Sequence, residues 1–407
     1  MNHLLALDPL FNESVSFSVF LVVVIKVVVA FAILLVSVML YIWAMRKVIA
    51  DMQNRIGPNR AGPYGVLQTL ADGIKLFFKE QSIPDSADRP VFRLAPYLSI
   101  LPAFMLFCVV PIGGRPSDGT VSIFGHRTFL QVADLPIGAL FILAMSGLGV
   151  YGVMLAGWSS GSKYPLLGSV RASAQLLSYE AAFGLAILGV LVLAGSLSTH
   201  EIVAQQHWTN AWSFVTHWFW LKTFVAFGIF LIAATAETNH PPFDLVEAEQ
   251  ELVGGFNTEY TGIRFAIFFL AEFMNVITMS AIAVTLFLGG PSGPSLGFLS
   301  ESGTINVWLM PIFWFTIKVL ALLFATVWVR ASLPRMRYDR LMSLGWKWLI
   351  ELAILWVLVT VTLQVASDAN WNRPLAAIVA VGAAVLAYGV LFAAMPKGSE
   401  RIEEEIR

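Results

Sequence analysis

The stretch FSVFLVVVIKVVVAFAILLVSVMLYIWA, residues 17–44, decides the fold of this chain. It is almost continuously apolar, and Lys26 is its one charged residue. A helix needs about 20 such residues to cross the hydrocarbon core of a bilayer. A strand of a membrane barrel would be shorter and would alternate apolar with polar residues. The stretch therefore predicts a transmembrane helix.

The composition of the whole chain extends this prediction. Of the 407 residues, 57% are hydrophobic and 13% are charged, whereas an ordinary soluble domain has about 25% charged residues. The net charge of −1 gives no electrostatic basis for binding nucleic acid. The single cysteine, Cys108, is too few for a disulfide or an iron–sulfur cluster. We predict an all-α polytopic membrane protein with no disulfide, iron–sulfur cluster or metal site of its own.

Further apolar runs follow along the chain, separated by short polar links. The nine predicted spans cover residues 17–44, 97–113, 135–156, 172–194, 215–236, 263–288, 307–329, 346–365 and 375–395. Lys and Arg are concentrated in the links after odd-numbered spans, whereas the other links hold only Arg115, Arg127 and Arg373. By the positive-inside rule, the N-terminus lies outside and the ninth span returns the C-terminus to the cytoplasm.

The first inner link contains an amphipathic pattern. In PYGVLQTLADGIKLFFK, residues 63–79, Leu67, Leu70 and Ile74 fall near one helical face, and Asp72 and Lys75 fall largely on the other. This pattern predicts a helix lying at the inner membrane surface. Two roles remain open: packing on the helix bundle, or contact with lipid or a hydrophobic ligand.

The link between the fifth and sixth spans is acidic and lacks Lys and Arg. It reads ETNHPPFDLVEAEQELVGGFNTEYTG, residues 237–262, and carries Glu237, Asp244, Glu247, Glu249, Glu251 and Glu259. Crowded carboxylates raise one another's pKa, so some can hold protons near neutral pH. A solvated acidic loop is the alternative. The interleaved Pro241, Pro242 and Phe243 favour a segment packed into protein, and we predict proton handling.

Ionisable residues also lie inside the predicted spans: Lys26, Glu180, Lys222, Glu272 and Lys318. Each costs about 2.5–3.5 kcal/mol at the centre of a membrane helix, and such residues usually mark ion or proton routes. We expect Lys26 and Lys222 to extend their ammonium groups to the membrane surface. The positions of Glu180 and Glu272 inside spans predict a proton path that leads from the acidic link into the membrane.

One apparent nucleotide motif is better explained by packing. Residues 147–152, GLGVYG, match G-x-G-x-x-G, but that fingerprint functions only between a strand and the start of a helix. Here it lies inside the third predicted span. Small residues at such positions let membrane helices approach closely.

Four segments together resemble the H-type subunit of the proton-pumping NADH:quinone oxidoreductase, respiratory complex I, whose mitochondrial counterpart is NADH dehydrogenase subunit one. They are RIGPNRAGPYGVLQTLADGIKLFFKE (55–80), GWSSGSKYPLLGSVRASAQLLSYEAA (157–182), the acidic link 237–262 and RASLPRMRYDRLM (330–342). The resemblance covers a membrane domain of eight spans, residues 1–366. Residues 367–407, with the ninth span and a charged tail, extend beyond it. The same fold also resembles the membrane anchor of energy-converting hydrogenases.

The resemblance implies a subunit of a bacterial plasma-membrane complex that forms a quinone entrance and tunnel. Ubiquinone or menaquinone would be its substrate, with FMN and iron–sulfur clusters only in partner subunits. Its partners would be the quinone-site subunits of the hydrophilic arm, adjacent small membrane subunits and lipids. The residues implied at the quinone are Arg46, Arg55, Ala61, Asp72, Lys75, His240 and Arg335. Those implied on a proton route are Glu180, Glu237, Asp244, Glu247, Glu249, Glu251, Glu259 and Glu272.

Two positions depart from the family pattern. Met45 stands where many members have Glu, and His240 stands where the family usually has Arg. A permanently charged guanidinium is thereby replaced by a group that ordinarily titrates near pH 6.5. Three alternatives remain at this point: a hydrogenase membrane anchor, a stand-alone proton or cation transporter, and a structural anchor without a proton role.

Overall fold

The computed structural model describes residues 8–12, 14, 16–115, 118–207, 217–244, 253–294, 305–369, 379, 381–383, 386 and 389. Within these residues the chain is predominantly helical, with one two-stranded hairpin, which confirms the all-α polytopic fold. The helices are α1 (Phe17–Met52), α2 (Gln68–Phe78), α3 (Arg89–Cys108), α4 (Gly138–Ser159), α5 (Lys163–Ala194), α6 (Thr199–Gln205), α7 (Phe219–Lys222), α8 (Phe224–Glu237), α9 (Ile263–Phe287), α10 (Met310–Ser332), α11 (Tyr338–Leu344) and α12 (Ile350–Asp368).

Seven segments of the described chain are long and apolar enough to cross a membrane. They are Phe17–Met52, Arg89–Cys108, Gly138–Ser159, Lys163–Ala194, Ile263–Phe287, Val307–Ser332 and Tyr338–Asp368. The predicted fifth span is instead divided into α7 and the short apolar helix α8, which meet at Thr223. Most of the predicted ninth span lies outside the described residues, so that span stays a prediction.

Helix α1 is longer than the span predicted for it. Its 36 residues reach from Phe17 to Met52, a length of about 54 Å at 1.5 Å per residue. The hydrocarbon core of a bilayer is about 30 Å thick. One end of α1 therefore projects past the core, and Arg46 and Lys47 lie on the last turns of the helix.

Helix α9 lies at the centre of the bundle. In the most apolar 18-residue stretch of α9, 72% of the residues are buried, against 17% in the corresponding stretch of α1. Helix α4 packs between α3 and α5, α5 also packs against α8 and α12, and α3 packs against α9. The largest fully buried side chains include Tyr179, Phe183, Phe230 and Phe287. This arrangement makes α3, α4, α5, α8 and α9 the elements that can enclose a buried site.

A small hairpin covers one end of the bundle. Strands β1 (Thr120–Ile123) and β2 (His126–Phe129) pair antiparallel in the link between α3 and α4, with Thr120 opposite Phe129. Lys26 is buried here and lies 2.8 Å from Asp8 Oδ2 and 2.8 Å from Thr128 Oγ1. The expectation that Lys26 reaches the membrane surface is therefore wrong, because a buried carboxylate satisfies its charge where it stands.

Lys222 and Lys318, also in predicted spans, have different surroundings. Lys222 is exposed and lies over the Phe219 ring, 5.7 Å from its centroid. Lys318 is buried and donates to three carbonyl oxygens after the end of α9, those of Leu288, Gly290 and Ser292, at 2.6–2.9 Å. A cation at the C-terminal end of a helix is electrostatically favourable.

Candidate functional site

Three carboxylates line one cavity between the helices. Glu180 of α5, Glu237 at the end of α8 and Glu272 of α9 all contribute to a cavity of ≈ 70 Å³. Ser99 and Asn275 add polar atoms to its lining. A water molecule needs about 10–15 Å³ of such volume, so the cavity has room for a few. The predicted proton residues of two spans and of the acidic link thus face a common space.

Glu237 is held by a serine from the opposite helix. Its Oε1 accepts a short hydrogen bond from Ser146 Oγ of α4, and its Oε2 is buried without a partner among the described residues. A buried carboxylate oxygen without a donor is costly. The adjoining cavity has room for a water molecule that would donate a hydrogen bond to this oxygen.

Glu180 occupies the boundary of the cavity. It also lines an open groove of ≈ 540 Å³ between α4 and α5, whose other lining residues are Leu, Ala and Gly. A Cβ atom built on Gly147 would lie 2.8 Å from Glu180 Oε1. One built on Gly152 would overlap Ser99 of α3. Gly147 and Gly152 therefore permit close packing, in agreement with the interpretation of this motif from the sequence.

Glu272 makes a contact that links the two predicted residue sets. His240 belongs to the set predicted at the quinone, yet its Nδ1 lies 3.4 Å from Glu272 Oε1. The same Nδ1 is 2.9 Å from the carbonyl oxygen of Thr238, and the imidazole is 3% exposed. His240 itself does not line the cavity, whereas Glu272 and Thr238 do.

The described part of the acidic link is packed into protein. The Gln175 side chain donates to the carbonyls of Ala236 and Phe243, at 2.9 and 3.0 Å, and so fixes the turn after α8. Asp244 forms an ion pair of 3.1 Å with Arg335. The backbone N–H of Met336 also donates to the carbonyl of Pro242, at 3.0 Å. Three of the family-like segments therefore meet at this point.

The remaining acidic residues of the link are not placed at the cavity. Glu259 is partly exposed and does not line it. Glu247, Glu249 and Glu251 lie outside the described residues. Their proposed part in a proton route rests on the sequence alone.

The amphipathic helix forms where the sequence predicts it, as a 3₁₀ turn at Pro63–Gly65 followed by α2. Its apolar face is uncovered, because Leu70, Ile74, Phe77 and Phe78 are 44–89% exposed. A water-exposed stripe of this kind is unfavourable unless lipid or another apolar partner covers it. The helix is therefore poised for a membrane surface or a hydrophobic ligand.

The polar face of α2 is fastened to α1. Asp72 accepts from Arg46 at 2.8 Å and lies 3.8 Å from Lys75. Burial acts to raise the pKa of Asp72, but the hydrogen bond and charge of Arg46, with smaller effects of Gln68 and Lys75, lower it overall. The carboxylate thus stays ionised and keeps the two helices paired at neutral pH.

The predicted quinone residues form separate contacts. Arg46, Asp72 and Lys75 make one cluster, and Arg335 pairs with Asp244 elsewhere. Arg55 is exposed, and Ala61 lies in the segment just before the 3₁₀ turn. The structure therefore brings the carboxylates together more completely than it does the quinone residues.

Sequence reasoning missed the uncharged polar residues of the site. Ser99, Ser146, Gln175 and Asn275 lie within membrane helices and line the cavity or fix its edge. These residues carry no charge, so the pattern of ionisable residues in the sequence does not mark them. An amide inside an apolar run, such as Gln175, was the available signal, because a buried amide also needs hydrogen-bond partners.

Comparisons with known proteins identify the family of this chain. Residues 25–361 match a family described as NADH dehydrogenase. The chain is 48% identical over 351 residues to the H-type subunit of the NADH-quinone oxidoreductase of Streptomyces avermitilis, covering 86% of this chain and 75% of that protein. It is 52% and 51% identical over 346 residues to proteins of the same name from Frankia casuarinae and Frankia alni, covering 85% of this chain and 73% of each relative.

Proposed function

The chain belongs to the family of H-type subunits of NADH-quinone oxidoreductase, and on this premise we propose that it guides quinone and couples its reduction to proton movement through the half-buried carboxylates of the cavity. The observation that carries the proposal is the single cavity shared by Glu180, Glu237 and Glu272. Ionisable residues at membrane depth are expensive and usually functional. Two such residues, Glu180 and Glu272, together with Glu237 of the link, surround one small space and are the elements of a proton route.

The quinone part of the proposal rests on α2. Its exposed apolar stripe suits a long isoprenoid tail or the lipid from which such a tail would enter. The Arg46–Asp72 pair holds this helix against α1, so the stripe keeps a fixed position. Quinone is then the substrate, and FMN and iron–sulfur clusters belong to partner subunits of the complex.

Coupling follows from charge. Reduction of a quinone takes up electrons and protons, which changes the electrostatic field around the chamber. The link contributes His240 to a contact with Glu272 of α9, and four residues later it contributes Asp244 to an ion pair with Arg335. A change of charge on the quinone side would shift proton occupancy at Glu272, and water in the cavity would pass the change to Glu237 and Glu180.

The setting proposed for the chain follows from the distribution of basic residues. The complex would lie in a bacterial plasma membrane, with the N-terminus of this chain outside and α2 on the cytoplasmic side. Its partners would be the quinone-site subunits of the hydrophilic arm and adjacent membrane subunits. Residues 367–407 would form a separate, ninth span and a cytoplasmic tail.

The test is the replacement of one cavity carboxylate by its isosteric amide in the assembled complex. Glu237→Gln keeps the shape and an oxygen for Ser146 but cannot exchange a proton. We expect NADH-driven proton pumping to fall by about 10²-fold, since a positioned proton-transfer group contributes about 10²–10⁴-fold. NADH oxidation by ferricyanide, which bypasses this subunit, should be unchanged.

The matched control is Glu351→Gln, the same substitution at a glutamate of α12 that does not line the cavity. It should leave pumping and quinone reduction at the native level. Full pumping by the Glu237→Gln complex would show that this carboxyl group carries no proton, and would favour a purely structural role for the cavity.

A further inference from the structure

The imidazole of His240 is buried with one nitrogen unsatisfied. Its Nδ1 is 2.9 Å from the carbonyl oxygen of Thr238. Because a carbonyl oxygen only accepts, Nδ1 carries the hydrogen, and Nε2 of the neutral ring presents a lone pair. Nε2 is buried and has no hydrogen-bond partner among the described residues. Because no described donor occupies the Nε2 lone pair, a proton that binds there displaces no existing hydrogen bond.

The surroundings can accommodate the resulting cation. Glu272 Oε1 lies 3.4 Å from Nδ1 and supplies an opposite charge. The Phe273 ring lies nearly perpendicular to the imidazole, at an interplanar angle of 76° with centroids 5.4 Å apart. Other charged or titratable groups of the elements packed around this contact are Glu180 and Tyr179 of α5, Glu237 of α8, Tyr41 of α1, Arg330 of α10 and the Asp244–Arg335 pair.

We propose that Nε2 of His240 is a proton-binding site, and that its occupancy determines whether His240 and Glu272 form an ion pair beside the carboxylate cavity. When the proton binds, an N–H bond forms at Nε2 and the ring becomes an imidazolium; no group is oxidised or reduced. The proton comes from water or from a carboxylic acid of the link. The effect on turnover rests on the proposed function.

The consequence is specific to a histidine at this position. The imidazole charge ordinarily changes between about pH 5 and pH 8, whereas a guanidinium stays charged throughout. With His240, the charge facing Glu272 becomes a variable that responds to proton supply. Glu272 lines the cavity and His240 does not, so His240 acts on the proton route through Glu272, as a positioning residue.

The test compares a neutral and a permanently charged replacement in the assembled complex. His240→Asn places an amide N–H near the position of Nδ1 and keeps the donor to Thr238, while His240→Arg fixes a positive charge. The ratio of proton pumping to NADH oxidation is measured in inside-out vesicles between about pH 6 and pH 8, the range of imidazole titration. Ferricyanide reduction by NADH reports assembly.

We expect the ratio of proton pumping to NADH oxidation in the native complex to equal that of His240→Arg at the acidic end of the range and that of His240→Asn at the alkaline end. Each variant alone should lack that step. The control His126→Asn changes a histidine of the hairpin, which contacts Ser18 at 3.0 Å, and should keep the native profile. His240→Gln serves as a second neutral variant if His240→Asn fails to assemble.

Two outcomes would overturn the inference. The first is a native pH step that persists in either His240 variant, and the second is a native complex with no step in this range, a measurement that needs no variant. The proposed proton route fails separately, if Glu237→Gln pumps normally. In that case a step that only His240 variants lose would still establish proton binding at His240.

Discussion

Gly147 and Gly149 lie two residues apart on α4 but have different neighbours. A Cβ atom at Gly147 would lie 2.8 Å from Glu180 Oε1, whereas one at Gly149 would have nothing within 4 Å. The atom met at Gly147 is the end of a flexible side chain, so the carboxylate would move while the backbone stays. This pair of glycines therefore offers a way to displace Glu180 without changing its chemistry.

We predict that Gly147→Ala lowers NADH-driven proton pumping severalfold, because Glu180 is forced away from its place between the cavity and the groove. Gly149→Ala adds the same methyl group to the same helix and should leave pumping native. Each substitution should change the free energy of unfolding by less than about 1 kcal/mol, in either direction. Equal pumping by the two variants would show that the position of Glu180 is unimportant.

The sequence could identify the charged members of the site but not their contacts. Glu180 and Glu272 were recognisable because a carboxylate inside an apolar run is costly and needs a reason. The contact between His240 and Glu272 joins residues from a link and a helix, and no spacing in the chain encodes it. The same holds for Ser146 and Glu237, which α4 and α8 bring together through tertiary packing.

At the scale of elements, α2 shows how a short helix can be specified by its pattern. Its apolar residues recur three and four positions apart, and the structure leaves that face exposed while Asp72 binds Arg46. The break between α7 and α8 shows the opposite case. The residues next to Thr223 include no proline or glycine, so the local sequence gives no signal that a helix ends there. Here tertiary packing overrides local propensity.

We predict that Ile74→Asn on the exposed stripe of α2 lowers quinone reduction severalfold, because the polar amide weakens contact with an isoprenoid tail or with lipid. NADH oxidation by ferricyanide should be unchanged. The control is Gly73→Ala, the neighbouring position, where a Cβ atom would have nothing within 4 Å. Loss of both activities in Ile74→Asn would instead indicate failed assembly, and native quinone reduction would remove α2 from the quinone path.

At the scale of the whole molecule, charges are sorted by depth and by side. Basic residues are concentrated in the links that we assign to the cytoplasm, while three half-buried carboxylates line the cavity between the helices. At the end carrying the hairpin, the buried Lys26–Asp8 pair joins the chain preceding α1 to β2 through Thr128. Composition alone could predict the class of fold, but the pairing of Lys26 depended on a residue eighteen positions away.

The orientation of the molecule is open to a direct test, because Cys108 is the only cysteine of the chain. In a Cys108→Ala background, we would introduce Ser82→Cys in the link after α1 or Ser122→Cys in the hairpin, both at exposed positions. The predicted topology places Ser122 outside and Ser82 in the cytoplasm. A membrane-impermeant maleimide added to intact spheroplasts should therefore label the Ser122→Cys chain and spare the Ser82→Cys chain.

Inside-out vesicles provide the complementary measurement, in which the labelling of the two positions should reverse. Detergent should make both sites reactive, which separates protection by the membrane from protection by a partner subunit. The reverse pattern in intact spheroplasts would place α2 and the Arg46–Asp72 contact outside. That result would contradict the proton route as drawn, because the link that carries Asp244 and His240 would then face the side to which protons are delivered.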